Sequence, residues 1–278
     1  MRIAITGCNG KIGRAVTARL REDGHDVVGF DVDGARGAGF TRVDLSDYGQ
    51  TLDALLGVTF RHDGIDALVH LAAIPVNGLV PDATTFHHNM AVTFNVLHGA
   101  HRAGITKIVY ASSINAMGYP FDEPPPYLPL DEGYTAANNT YGLGKAMEET
   151  MAGQLVRWNP ELSITALRFT NVVAEDGYGS FTRAGELDYR RDLLGSYVDA
   201  RDAALSVALS LEKGAPGFEV YAIAASDTGL TIPSAELAAA WFPGVPVRKE
   251  LGEFETLLSI DKAAERLGYV PQHLWRER

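Results

Sequence analysis

A chain of 278 residues and 30.0 kDa, 46% hydrophobic and 21% charged, can bury a full core as one large globular domain or as one domain with a smaller lobe. A formal net charge of -11 argues against the basic surface that nucleic acid or an anionic membrane would need. The chain has no apolar run long enough for a bilayer, its start reads as a strand and not a signal peptide, and its single Cys8 cannot pair internally, so a cytoplasmic, reducing setting is expected.

Arg2 to Thr6 reads as an apolar strand. It enters the loop Thr6-Gly7-Cys8-Asn9-Gly10-Lys11-Ile12-Gly13, and a helical pattern over Arg14 to Leu20 follows, stopped by Gly24. Strand, glycine turn and helix give a G-x-x-G-x-x-G spacing its meaning. Bare glycines allow the tight turn, and backbone N–H groups at the positive end of a helix meet a phosphate. Cys8, with no His beside it in sequence, reads as a small packing residue. A second strand, Asp26 to Val32, carries Asp31, whose carboxylate would accept hydrogen bonds from ribose hydroxyls and repel a 2′-phosphate. NAD is therefore expected over NADP, with Arg36 the residue that points the other way.

Val43-Asp44-Leu45-Ser46-Asp47 reads as a short strand running into the N-cap of a helix over Tyr48 to Leu56, with Asp44 placed to meet an adenine amino group. Ile65 to Ala73 reads as a buried parallel strand, and its end, Leu71-Ala72-Ala73, is small enough for a flat ligand to lie on the backbone. His70 within it reads as a hydrogen-bonded structural histidine. His62, His87, His88, His98 and His101 lack carboxylate or cysteine partners at metal-binding spacing, so no metal site is expected. In the helical pattern Pro81 to Ala103, Asn89 needs a partner and is expected to hold backbone or water near the cofactor. Lys107 to Ser113 reads as the fifth strand, placing Ser112 and Ser113 at the carboxyl edge where parallel sheets bind ligands. Pro120 to Pro129 must be a covering loop.

Tyr141-Gly142-Leu143-Gly144-Lys145 opens a helix to about Arg157, which aligns a phenol and an ammonium on one face. Each glycine costs about 1 kcal/mol inside a helix, so something is expected to approach this backbone closely. Ile164 to Phe169 is the sixth strand, and 171–196, with Arg183, Arg190 and Arg191, reads as a long functional loop. Tyr197 begins a helix to about Leu211, Gly217 to Ile223 is the last strand, and helices lie near Pro233 to Ala240 and Ile260 to Leu267. Alternation of strand and helix implies right-handed crossovers and an α/β, Rossmann-type doubly wound parallel sheet. Residues 1–170 and 197–223 are expected to form its NAD-binding domain, and 171–196 with 224–278 a small C-terminal substrate-binding lobe.

Taken in order, these residues resemble the extended short-chain dehydrogenase/reductase family, the NAD-dependent epimerase/dehydratase group, over nearly the whole chain. The matching parts are Thr6-Gly7-x-x-Gly10-x-x-Gly13, Asp31, Asp44-Leu45, His70-Leu71-Ala72-Ala73, Asn89, Ser112-Ser113, Tyr141-x-x-x-Lys145, Arg168-x-x-Asn171 and Tyr197-Val198-Asp199-Ala200-Arg201-Asp202. The resemblance implies that Tyr141 is the acid/base, that Lys145 binds the nicotinamide ribose and lowers the Tyr141 pKa, and that Ser113 hydrogen-bonds the reacting oxygen. An ammonium beside a phenol favours phenolate, which agrees. It also implies NAD contacts from Gly7, Asn9, Gly10, Lys11, Ile12, Gly13, Asp31, Asp44, Leu45, Leu71, Ala72, Ala73, Asn89, Ala111, Tyr141, Lys145 and Phe169.

The short C-terminal part and Ser112-Ser113-x-x-x-x-Gly118-Tyr119 look most like uronate dehydrogenases. That implies oxidation of the anomeric carbon of a free sugar or uronic acid to a lactone. Arg191, or Arg190, falls where that subfamily places the Arg for the substrate carboxylate. Pro75 and Ile114 depart from the uronate pattern, which keeps a neutral aldose or sugar phosphate open, with Asn77, Asn115 and Asn171 as hydroxyl contacts beside Ser113 and Tyr141. Two alternatives stand: a nucleotide-sugar epimerase or reductase, and a non-catalytic NAD-binding regulator. Helices around 84–103 and 138–157 correspond to those that pair subunits in this family, so a homodimer or a multiple of one is expected.

Overall fold

Every strand of the central sheet runs the same way. In a computed structural model that describes residues 1–35, 37, 39–57 and 62–277, seven parallel strands take the order β3-β2-β1-β4-β5-β6-β9. They are β1 (Arg2–Thr6), β2 (Asp26–Asp31), β3 (Phe40–Arg42), β4 (Ala67–His70), β5 (Lys107–Ser113), β6 (Ser163–Phe169) and β9 (Gly217–Ile223). β4 and β6 are buried along their whole length because helices cover both faces, which is why they read as continuous apolar runs. Within each strand, side chains still alternate between two cores. Ile3, Ile5, Val69 and Val109 join Val16 and Leu20 of α1 (Lys11–Glu22) and Val207 of α5 (Ala200–Lys213). Ala4, Leu68, Ile108 and Tyr110 face Leu55 of α2 (Tyr48–Leu56), Val96 of α3 (Asp82–Arg102) and Leu155 of α4 (Thr140–Trp158).

The strand order reverses between β1 and β4, so the loops after these two strands part and open a crevice at the carboxyl edge. This is the doubly wound sheet expected from the alternation. Two boundaries differ. The paired edge strand is Phe40–Arg42, not 43–47: Val43 and Leu45 are apolar because they are buried as the chain leaves the sheet, while Asp47 accepts from Gln50 N as the N-cap of α2. The segment from Tyr197 begins not as helix but as β8 (Val198–Asp199), which pairs in parallel with β7 (Val172–Val173), and Asp199 then caps α5 by accepting from Arg201 N. Arg36 lies outside the described residues.

The 171–196 segment is held by the C-terminal region. Gly229 N donates to Gly195 O at 2.7 Å, Thr231 N to Ala184 O at 2.9 Å and Trp241 Nε1, on α6 (Ser234–Trp241), to Leu187 O at 2.7 Å. The last helix, α7 (Asp261–Leu267), buries Ala263 and Leu267 in the core shared with α5. Among the described residues, no helix is long and apolar enough to cross a membrane.

Candidate active site

The crevice holds a cavity of about 580 Å³ lined by Gly7, Asn9, Gly10, Asp31, Asp44, Leu45, Leu71, Ala72 and Ala73 of the expected cofactor set. Gly7 has φ +69°, and a Cβ there would lie 2.6 Å from Ala72 N, so glycine is required for the loop to rest on the end of β4. Gly13 is buried in α1, where a Cβ would stand 2.8 Å from the Cys8 Cα. Gly10 differs: a Cβ there would meet only Gly7 O, at 3.2 Å, and the exposed backbone faces the cavity. No side chain caps α1 and its first turn carries no acid, which leaves N–H donors pointing outward. Asp31 is fixed from two sides, accepting from Asn9 N at 2.9 Å and Val32 N at 2.8 Å. Burial pushes the Cys8 thiol up to about 11, in keeping with a packing role.

Asn89, on α3, accepts from Ile74 N at 2.8 Å and donates to Ile74 O at 2.9 Å, so it holds the backbone after β4 as expected of a buried amide. His70 is buried between Thr6 Oγ1 at 2.7 Å and Thr93 Oγ1 at 3.2 Å. Burial, with a smaller push from Lys145, lowers it to about 3 and keeps the ring neutral. Ile74, His88 and Val92 also line the cavity and were not legible in sequence: they reach it from the loop and helix after β4, with no motif to mark them. Among the other expected contacts, Lys11 Nζ donates to Val172 O at 2.8 Å, Phe169 is buried in the core, and the Ala111 carbonyl accepts from Lys145 Nζ at 3.0 Å. Ile12 packs at the edge of the core with α1.

At the carboxyl end of β5, Ser113, Tyr141 and Lys145 come together. Ser113 ends β5, and Asn139 starts α4 by accepting from Gly142 N at 2.8 Å. The Lys145 ammonium lies 5.7 Å from the Tyr141 ring centroid, and both side chains are buried. Burial pushes the Tyr141 phenol above its ordinary value; Lys145 and a hydrogen bond with Ser113 pull it down, and Glu148 pushes it up. The expected sign of the lysine effect is correct, but desolvation outweighs it. Lys145 itself sits above the ordinary lysine value, because the charges of Glu148 and Tyr141 overcome burial.

The two glycines of this helix separate in role. A Cβ on Gly142 would overlap the Asn115 carbonyl, whereas one on Gly144 would make only a 3.8 Å contact with Phe86. Gly142 alone answers the expectation of close approach: it lets α4 lie against the turn that follows Ser113. We therefore expect Gly144→Ala to raise Tm by roughly 2 °C, as a gain of about 1 kcal/mol in helix propensity implies. Gly142→Ala should lower it by roughly 5 °C through overpacking. Thermal melts of both variants check this, and equal melts would refute the distinction.

Several expected substrate contacts are occupied within the protein. Asn77 Oδ1 accepts from Tyr141 N at 3.0 Å, and Asn171 Oδ1 accepts from Arg190 Nη2 at 2.8 Å. Arg190 is buried, also donates to Ser196 O, and lies 4.9 Å from the Phe181 ring centroid. Arg191 is half-buried against Phe242, 5.5 Å from its centroid, and makes no ion pair with a described residue. Asn115 stays at the site, its Oδ1 accepting from Ser113 Oγ at 2.8 Å. The Arg168 motif is a staple: its guanidinium pairs with Glu149, which also accepts from Ser112 Oγ at 2.6 Å. The Tyr197 to Asp202 segment anchors the chain end, with Tyr197 Oη accepting from Trp275 N and Asp202 accepting from His273 N.

The sequence profile described as the NAD dependent epimerase/dehydratase family matches residues 3–224. Among curated proteins, the chain is similar to the UDP-glucose 4-epimerase of Pasteurella multocida (strain Pm70), 28% identical over 186 residues that cover 62% of this chain and 54% of that one. It is also similar to UDP-glucose 4-epimerase 2 of Oryza sativa subsp. japonica, 30% identical over 143 residues, 51% of this chain and 33% of that one. The chain thus spans about half the length, or less, of these curated relatives. Among solved structures, a UDP-N-acetylglucosamine 4-epimerase from Bacillus cereus superposes with a TM-score of 0.71 at 22% identity, covering 99% of this chain and 95% of that one. A mutated uronate dehydrogenase gives 0.68 at 21% identity, covering 99% and 84%. At such identities the two structures speak for the fold.

Proposed function

The chain belongs to the NAD-dependent epimerase/dehydratase family, and from that premise we propose that it is an NAD-dependent enzyme that reacts a hydroxyl-bearing carbon of a nucleotide sugar, as an epimerase or reductase, with Tyr141 as acid/base. The observation that carries this reading is the buried convergence of Tyr141, Lys145 and Ser113 at the carboxyl end of β5, on the same edge of the sheet as the glycine loop and Asp31.

The residues fit the cofactor. Gly10 presents bare backbone to the cavity, α1 offers uncapped N–H groups for a pyrophosphate, and the pinned Asp31 carboxylate suits ribose hydroxyls. Asp44 and Leu45 line the adenine side in this reading, and Leu71 to Ala73 form a flat backbone floor. When bound, NAD supplies the hydride acceptor and an additional positive charge. Lys145, with two of its three donors engaged by Glu148 and Ala111 O, keeps one N–H for a ribose hydroxyl. Tyr141 exchanges a proton with the substrate hydroxyl, and Ser113 stabilises charge developing on that oxygen. The substrate itself would lie over Asn115 and under a lobe made of 171–196 and 224–278.

We favour a nucleotide sugar over a free uronate. The curated relatives are UDP-glucose 4-epimerases, and Arg190, Asn77 and Asn171 already serve internal partners. The free-sugar reading retains one observation, the half-buried Arg191, which makes no ion pair with a described residue and suits a carboxylate. The test offers NAD with UDP-sugars, free aldoses and uronic acids, following epimer exchange by NMR and NADH by absorbance. We expect turnover with a UDP-sugar. NADH accumulating with free sugars alone would sink the nucleotide-sugar reading.

A further inference from the structure

Adjacent acids on α4 are used in opposite ways. Glu149 is saturated: Ser112 Oγ, Arg168 Nε and Arg168 Nη2 all donate to it. Glu148, with no exposed surface, accepts from Lys145 Nζ at Oε2 over 2.8 Å and lies beside the Thr93 hydroxyl, and its Oε1 makes no close hydrogen bond with a described residue. A carboxylate kept for the fold would be saturated like its neighbour. This one is directed at the ammonium beside Tyr141, whose charge Tyr141 and Glu149 also favour.

The surroundings leave Lys145 as the dominant partner of Glu148. Thr93 on α3 favours the carboxylate, and Glu149 disfavours it. From β5, the buried Tyr110 hydroxyl lies in the field of both acids and of Arg168 from β6. From β4, His70 is neutral. Tyr141 itself completes the ring of groups.

Resting on the reading of Tyr141 as acid/base, we propose that Glu148 is a positioning residue, which fixes the Lys145 ammonium between α4 and the Ala111 carbonyl and cancels part of its charge on the side facing Tyr141. The Tyr141 proton is then retained to a higher pH than the Tyr–Lys pair would set by itself. Glu148 pushes the phenol up and Lys145 pulls it down, so removing the carboxylate frees the lysine to act.

The test is Glu148→Gln, which keeps the shape and removes the charge. Ionisation of Tyr141 is read by ultraviolet difference titration of each protein against its own Tyr141→Phe partner, so no substrate is needed. The expected result is a fall of about one pH unit in the Tyr141 titration. No movement, or a rise, overturns the proposal. Should Glu148→Gln fail to fold, Glu148→Asp, which withdraws the charge by one methylene, should give a smaller fall, and an unmoved titration there is equally decisive. If the wild-type protein turns over no sugar at all, the functional reading fails while this titration still judges Glu148.

Discussion

Tyr141→Phe is expected to lower turnover about 10³-fold, within the range that positioned acid/base groups contribute, while NAD affinity changes by less than about tenfold, the scale of one lost hydrogen bond. The ring stays, so the packing that buries Tyr141 beside Ser113 and Lys145 survives. Only the proton-bearing oxygen is removed. Calorimetric titration of NAD and steady-state kinetics on the same preparation separate the two effects. A variant that keeps its turnover would refute the assignment of the acid/base, and unchanged behaviour of an inactive wild-type protein would favour a binding module of the same fold.

Gly13→Ala should abolish measurable NAD binding, weakening it at least about 100-fold, and lower stability by about 2–3 kcal/mol, an overpacking cost that corresponds to roughly 5–10 °C in Tm. The added Cβ would run into the Gly7 carbonyl and stand 2.8 Å from Cys8 backbone atoms, none of which can rotate away. The whole loop must shift, taking Gly7 off the end of β4. Gly10→Ala is the counterpart. Its Cβ meets only Gly7 O, at 3.2 Å, so Tm should hold to within about 2 °C while the methyl intrudes on the cavity and weakens NAD about tenfold. Melting curves and NAD titrations on the pair check this together. Normal NAD binding by Gly13→Ala would show that the loop is not the pyrophosphate site.

Much of this was legible from local pattern. The Gly7 to Gly13 loop, Asp31 and the Tyr141 to Lys145 pair owe their meaning to neighbours a few residues away, and a strand or helix carries that spacing into space unchanged. The buried parallel strands announced themselves as apolar runs because helices cover both faces. The edge strand was displaced to Phe40–Arg42 because apolar character at Val43 and Leu45 reports burial as the chain leaves the sheet, after a last bond from Val43 N to Asp31 O.

What pattern could not show was which polar groups the protein keeps for itself. Asn77 looked free until it met Tyr141 N from 64 residues away, and Asn171 until Arg190 folded over it. Glu148 and Glu149 are indistinguishable neighbours in sequence, yet one is saturated by Ser112 and Arg168 and the other is turned to Lys145. The sequence by itself determined the doubly wound sheet, the glycine loop and the Tyr–Lys pair, since each depends on periodicity and short spacing. Only the tertiary structure decided which asparagines and arginines are held by internal partners and which acid pairs with Lys145, because a buried polar group takes its partner from wherever the fold brings one, near or distant along the chain.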